Sequence, residues 1–206
     1  MRKAVQTLSI SITRNKLIAV EGVDDVCFFA SLLRHVGIRG CQIIEMRGKY
    51  PLTDKINAVV KTSGFNKVVS FGVAIDADSN YSGTFQSMCA ALRHSKLPIP
   101  TAPLIKAEGN PQVTVVILPK ANTKGMLEDL LLESVINDPA MSCVDAYFQC
   151  LKGKGIKPKH ISKAKIHAFL SSRKKPELDC GKASKANYWN YNEPVFNEVK
   201  NFLALL

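Results

Sequence analysis

The sequence predicts an α/β fold: a mostly parallel four-stranded sheet flanked by helices, followed by a helical C-terminal extension. Three observations carry that prediction. Two apolar runs of β type, residues 17–20 and 68–75, end abruptly in carboxylates and turn-prone residues. Such runs suit buried strands of a parallel sheet, whose carboxyl ends are the usual place for ligand chemistry in open α/β folds. Strand and helix patterns then alternate over residues 16–119, as successive βαβ units do, and from Lys124 onward the strand patterns stop. Residues 1–120 are therefore expected to form the α/β domain and 121–206 a helical extension packed on it as one unit.

Residues 17–20 read as the first strand, closed by Glu21-Gly22. Asp24 stands where an N-cap belongs, ahead of Val26, Phe28, Phe29, Leu32, Leu33 and Val36, which share one helical face until Gly37 stops the helix. A short strand over 41–46 leads into the loop Arg47-Gly48-Lys49. Thr53 is placed to cap a second helix carrying Ile56, Val59 and Val60. The run 68–75 is the next strand, Asn80-Tyr81-Ser82-Gly83 a loop, and 85–94 a helix. Residues 97–112, rich in Pro and Gly, read as irregular. Residues 113–118 form the last strand, stopped by Pro119. Helices are expected over 126–135, 140–151, 162–170 and 194–206. Tyr188-Trp189-Asn190-Tyr191 is either a base-stacking surface or, more simply, a satellite core under the last helix.

A chain of 206 residues with 46% hydrophobic content can build a proper core. Its 28 basic and 17 acidic residues leave a net charge of +11, which favours polyanionic partners, nucleic acid before anionic membrane. The six cysteines contain no C-x-x-C pair, so neither a zinc site nor a disulfide framework is expected. The basic Met1-Arg2-Lys3 is not followed by a signal-peptide core, and no apolar run approaches the roughly 18–20 residues that span a bilayer. A cytoplasmic setting without membrane attachment is the expectation.

The chemistry sits at the strand ends. The segment LIAVEGVDD (17–25) delivers Glu21, and FGVAIDADSN (71–80) delivers Asp76 and Asp78. If those strands are neighbours, carboxylates converge at one sheet edge, where they call for a hard divalent cation. Asp76 and Asp78, two apart, project to one side of an extended strand end. Asp25, four after Glu21, can reach the same cation from the start of the helix. Taken alone, Asp76-Ala77-Asp78 also reads as a turn or cap. Glu128 and Asp129 have two readings as well: complements to a helix N-terminus, or one of them completing a metal shell. Lys120, Lys124, Lys163, Lys165, Arg173, Lys174 and Lys175 are candidate phosphate contacts against a background of solvated basic surface. The four histidines show no metal-ligand spacing.

Val20-Glu21-Gly22 and Ile75-Asp76-Ala77-Asp78, in that order and with this helix-strand spacing, resemble the Toprim domain of topoisomerases, bacterial primases and several nucleases. The resemblance covers about residues 15–120. It implies a Toprim-like (Rossmann-like) fold, with Glu21 as metal ligand or general acid-base group and Asp76 and Asp78 holding Mg²⁺ or Mn²⁺. Gly125-Met126-Leu127-Glu128-Asp129-Leu130-Leu131-Leu132 and Lys165-Ile166-His167-Ala168-Phe169-Leu170 are similar to small stand-alone Toprim-like proteins and, distantly, to the Toprim half of the overcoming-lysogenisation-defect nucleases. That similarity implies Asp25, Glu128 or Asp129 as further metal ligands and a catalytic lysine after the sheet, here Lys165. The chain lacks the ATPase domain of those nucleases, the tyrosine-bearing domain of topoisomerases and the zinc-binding part of primases.

The expected function is thus Mg²⁺-dependent phosphoryl transfer on DNA or RNA, as a nuclease cleaving a phosphodiester by in-line attack of water. The alternatives are a non-catalytic module binding metal and nucleic acid or nucleotide, and a subunit whose missing domains come from a partner chain.

Overall fold

The computed structural model describes residues 11–206; the basic start, Met1 to Lys3, lies outside them. Four strands, β1 (Lys16–Val20), β2 (Cys41–Glu45), β3 (Ser70–Asp76) and β4 (Gln112–Leu118), form one sheet in the order β2-β1-β3-β4, every pair parallel. The helices are α1 (Val23–His35), α2 (Leu52–Val60), α3 (Tyr81–His94), α4 (Leu127–Ser134), α5 (Pro139–Gly153), α6 (Ile161–Ser171), α7 (Cys180–Lys185) and α8 (Asn197–Ala204). The fold is α/β and Rossmann-like. None of the described helices is long and apolar enough to cross a membrane.

Side-chain alternation along the strands divides the core in two. Leu17, Ala19, Phe71, Val73, Ile75, Val113, Val115 and Ile117 face α2 and α3. Ile18, Val20, Ala74, Val116 and Leu118 face α1 and the C-terminal helices. Phe28 and Phe29 of α1 meet Tyr191, Phe196 and Phe202 on that second face at ring-centroid distances of 5.9, 5.9 and 6.1 Å. Trp189 stacks on Phe169 at 6.2 Å, and Trp189 and Tyr191 are 2% and 4% exposed. Trp189 and Tyr191 are core, and Tyr188 packs half-buried against the same cluster.

Local capping departs from the sequence reading in four places. Gly22, not Asp24, is the N-cap of α1, and Asp25 Oδ2 accepts its N–H at 2.9 Å. Pro51, not Thr53, precedes α2. Asn80 begins α3 by accepting the Gly83 N–H at 2.9 Å, so Tyr81 to Gly83 are its first turn rather than a loop. The short α7, capped by Asp179, has too few turns to show a period.

Gly72 fixes how closely α8 approaches the sheet. A Cβ there would lie 2.7 Å from Phe202 Cζ and 2.8 Å from Leu206 Cδ2. Gly72→Ala is expected to destabilise the protein by about 1–3 kcal/mol through overpacking, read as a lowered urea midpoint at unchanged m-value. An unchanged midpoint would mean that α8 does not pack this tightly.

Candidate functional site

In the order β2-β1-β3-β4 the chain leaves β1 toward one edge and later returns to its other side, so β1 and β3 flank the topological switch point. Crevices outside the carboxyl ends of such strands are where open α/β sheets bind ligands. Glu21 directly follows β1 and Asp76 ends β3. Sequence alternation could not supply this pairing; strand order does.

Asp76 is half-buried, and one of its oxygens accepts the N–H of Leu127, the first residue of α4, at 3.0 Å. Asp78 adopts a left-handed backbone, φ 49°. An Asp tolerates that region better than most residues, and two reciprocal backbone hydrogen bonds of 2.8 Å with Gly125 hold it there. Gly125 itself has φ 131°, and a Cβ on it would reach to 2.6 Å from Asp129 Oδ2. The loop after β3 is thereby stapled to the segment leading into α4. This staple brings Glu128, 6% exposed, to the end of the sheet.

Three helix N-termini meet there. Asp24, in the first turn of α1, accepts the Gly181 N–H of α7 at 2.9 Å. Ligand atoms of Asp24, Glu128 and Cys180 lie within 4.8 Å of one another. Asp129 faces differently: its Oδ2 accepts the Met126 N–H at 2.9 Å and its Oδ1 accepts the Ser162 hydroxyl. Of the two acids at the start of α4, one therefore caps the helix and the other enters the cluster.

The electrostatics report crowding. Burial pushes the Asp76 carboxyl well above its ordinary range, and Asp25, Glu21 and Glu128 push it further. Asp25 is raised to about 7, first by burial, then by Glu21, Glu128 and Asp24, against the Gly22 N–H, which favours the anion. Glu21 is raised by burial and by Asp78, and lowered by Lys55 of α2. Burial, then Glu128 and Asp24, push the Cys180 thiol up.

Lys163 of α6 supplies the nearest compensating charge, 3.3 Å from Glu128. Burial works to lower its pKa; the pull of Glu128, Asp76 and Asp24 prevails and raises it. Lys165 is not brought to the cluster. Two residues further along α6, its side chain departs in a direction roughly 200° away and pairs with Asp145 of α5 at 2.6 Å. Lys120 is occupied by Glu133 at 2.7 Å, and Arg173 by Asp138 at 2.8 Å. Lys55, Asp24 and Cys180 were not singled out for the site from sequence. Gly181 lies 157 positions from Asp24, a separation that no local signal spans.

Residues 15–206 match the family described as "Protein of unknown function (DUF3226)". The chain belongs to that family. Among solved structures, this DUF3226 protein is similar to a hypothetical protein from Pyrococcus horikoshii OT3, with a TM-score of 0.58 and 16% identity over 93% of this chain and 95% of that one. That likeness concerns the fold. It is also similar to the C-terminal region of the OLD protein of Xanthomonas campestris pv. campestris, with a TM-score of 0.48 and 10% identity over 93% and 95% of the two chains. No curated protein matches it in sequence.

A carboxyl whose pKa is raised on folding stabilises the protein fully below its unfolded value and ceases to do so as pH rises through its folded value. For Asp25 that window runs from about 3.8 to about 7, and Asp76 and Glu21 act in the same direction. In a chelator, stability is therefore expected to fall across this range relative to Asp25→Asn, whose profile is flatter. Parallel profiles of urea midpoint against pH would show that Asp25 is not buried among acids.

Proposed function

We propose that this protein is a Toprim-like, Mg²⁺- or Mn²⁺-dependent phosphoryl-transfer enzyme acting on nucleic acid, and specifically a nuclease. The observation that supports this most is the convergence of Glu21, Asp25, Asp76 and Glu128 at the switch point of the sheet, with Asp24 and Asp78 beside them and, among the described residues, Lys55 and Lys163 opposing. Left alone, that arrangement opposes folding at neutral pH. A divalent cation turns the same repulsion into affinity.

The donor set fits a hard cation. Glu21, Asp25, Asp76, Asp78 and Glu128 offer carboxylate oxygens, the ligand type Mg²⁺ and Mn²⁺ prefer. Among the described residues, Cys180 is the one soft donor beside Asp24 and Glu128, and the carboxylates outnumber it. Asp129, with both oxygens engaged, orients the start of α4. When bound, the cation would neutralise phosphoryl oxygens and make water a competent nucleophile at neutral pH.

The remaining roles belong to the chain. Glu21, directly after β1 at the edge of the cluster, is placed either to hold the cation or to take up the proton of an attacking water and return it to the leaving oxygen. Lys163 is half exposed, with 53% of its side chain accessible, and bridges the acidic cluster and solvent. There its ammonium would meet charge developing on the phosphoryl group.

Asp76→Asn combined with Asp78→Asn is expected to abolish Mg²⁺ and Mn²⁺ binding in calorimetry while leaving the circular dichroism spectrum unchanged. Cleavage of DNA or RNA should fall at least about a hundredfold. Lys163→Met should retain metal binding and lose cleavage by roughly a hundredfold, whereas Lys165→Met breaks only the pair with Asp145 and should lose little. Equal cleavage by wild type and the double variant would remove the proposal. The reverse ranking of the two lysines would return the role to Lys165.

A further inference from the structure

Residues 152–175 contain nine of the chain's 28 basic residues and no Asp or Glu. They run from the last turn of α5 through a connecting loop and along α6. Arg173 and Lys165 are committed to Asp138 and Asp145, and Lys163 stands at the acidic centre beside Glu128. Lys152, Lys154, Lys157 and Lys159 differ from these. All four are exposed, and none forms a salt bridge among the described residues. Four like charges within eight residues repel one another, and Asp145, which borders Lys152 and Lys157, is already paired with Lys165.

Their placement is directional. The loop enters α6, and within the first turn of that helix Ser162 holds Asp129 and Lys163 reaches Glu128. The four lysines therefore stand on the connection that leads directly into the helical turn reaching the acidic centre. On the side of α6 that carries Lys165, away from Lys163, Lys152 and Lys157 border a groove of about 290 Å³ lined by Phe148, Ile156 and Ile161, with the Lys165–Asp145 pair closing one wall. A chain of phosphates joined by sugars and flat bases matches such an alternation of ammonium groups and apolar surface.

We infer that the α5–α6 hairpin is the element that grips the nucleic-acid backbone, with Lys152, Lys154, Lys157 and Lys159 as phosphate contacts that deliver the strand to Lys163 and the acidic centre. The inference rests on the reading of that centre as a phosphoryl-transfer site. A linear polyanion can follow the lysines and meet the carboxylates only at the point of reaction. A planar anionic membrane laid on the same face would press its charge against those carboxylates along the whole contact.

The test uses the full chain in a chelator, so that binding is read apart from metal and turnover. Fluorescence anisotropy with labelled duplex DNA, and separately with one of its strands, is followed over a salt series for wild type and for a variant with all four lysines changed to Gln. A second variant, with Lys61, Lys67, Arg93 and Lys96 changed to Gln, removes equal charge from exposed positions at the far ends of α2 and α3. For duplex, the hairpin variant should flatten the slope of log affinity against log salt by about 3 and bind more than tenfold more weakly at low salt. The control variant should change the slope by less than about 1. Mg²⁺ calorimetry of the hairpin variant should match wild type, which separates failure of the grip from failure of the acidic centre. Equal slopes for wild type and hairpin variant on both probes would overturn the inference. So would equal losses in both variants. Retained DNA binding, with lost sedimentation on vesicles of equal phosphatidylserine and phosphatidylcholine, would assign the hairpin to a lipid surface instead.

Discussion

The hydrogen bond from the Leu127 N–H to Asp76 is the contact on which the architecture of the site turns. It joins the end of the central strand β3 to the first turn of α4, where the helix dipole favours an anion. The two backbone bonds between Asp78 and Gly125 fix the approach, and Glu128 is carried in beside Asp76. Without this connection the sheet edge would hold the acids of 21–25 and 76–78 only. With it, a helix that begins 51 positions after Asp76 becomes part of the same electrostatic unit.

Helix N-termini recur as the means by which the chain tolerates so many carboxylates. Asp25 accepts from the cap of α1, Asp129 from the cap of α4, Asp24 from the first turn of α7 and Asp76 from that of α4. Each N–H lowers the cost of one anion, yet burial and mutual repulsion still leave Glu21, Asp25 and Asp76 with raised pKa values. Backbone donors position these groups without neutralising them, and that incomplete compensation is what makes the edge receptive to added positive charge.

Much of the fold was legible because it is written in short-range pattern. The runs ending in Glu21 and Asp76 are too apolar for surface strands, and their alternation with helical faces specifies parallel crossovers. Glu21, Asp76 and Asp78 were visible as carboxylates at strand ends. The division of labour between Glu128 and Asp129 was not, since both suit a helix start and only the turn at Gly125 decides which one faces inward. Asp24 passed for a cap because Gly22, the actual cap, has no side chain to signal with. Lys163 and Lys165 were equivalent in composition; the rotation of α6 separates them. Cys180 and Gly181 belong to a helix too short for periodicity, placed by packing against α1.

The contact between Asp24 and Gly181 has a bearing on synthesis. Ribosomes release a protein from its amino end, so Glu21, Asp24 and Asp25 emerge long before α6 and α7. A nascent chain therefore carries the acids of β1 and β3 without the lysine of α6 or the helix that receives Asp24. Full assembly of the centre waits for α6 and α7, and products truncated before them lack a finished one.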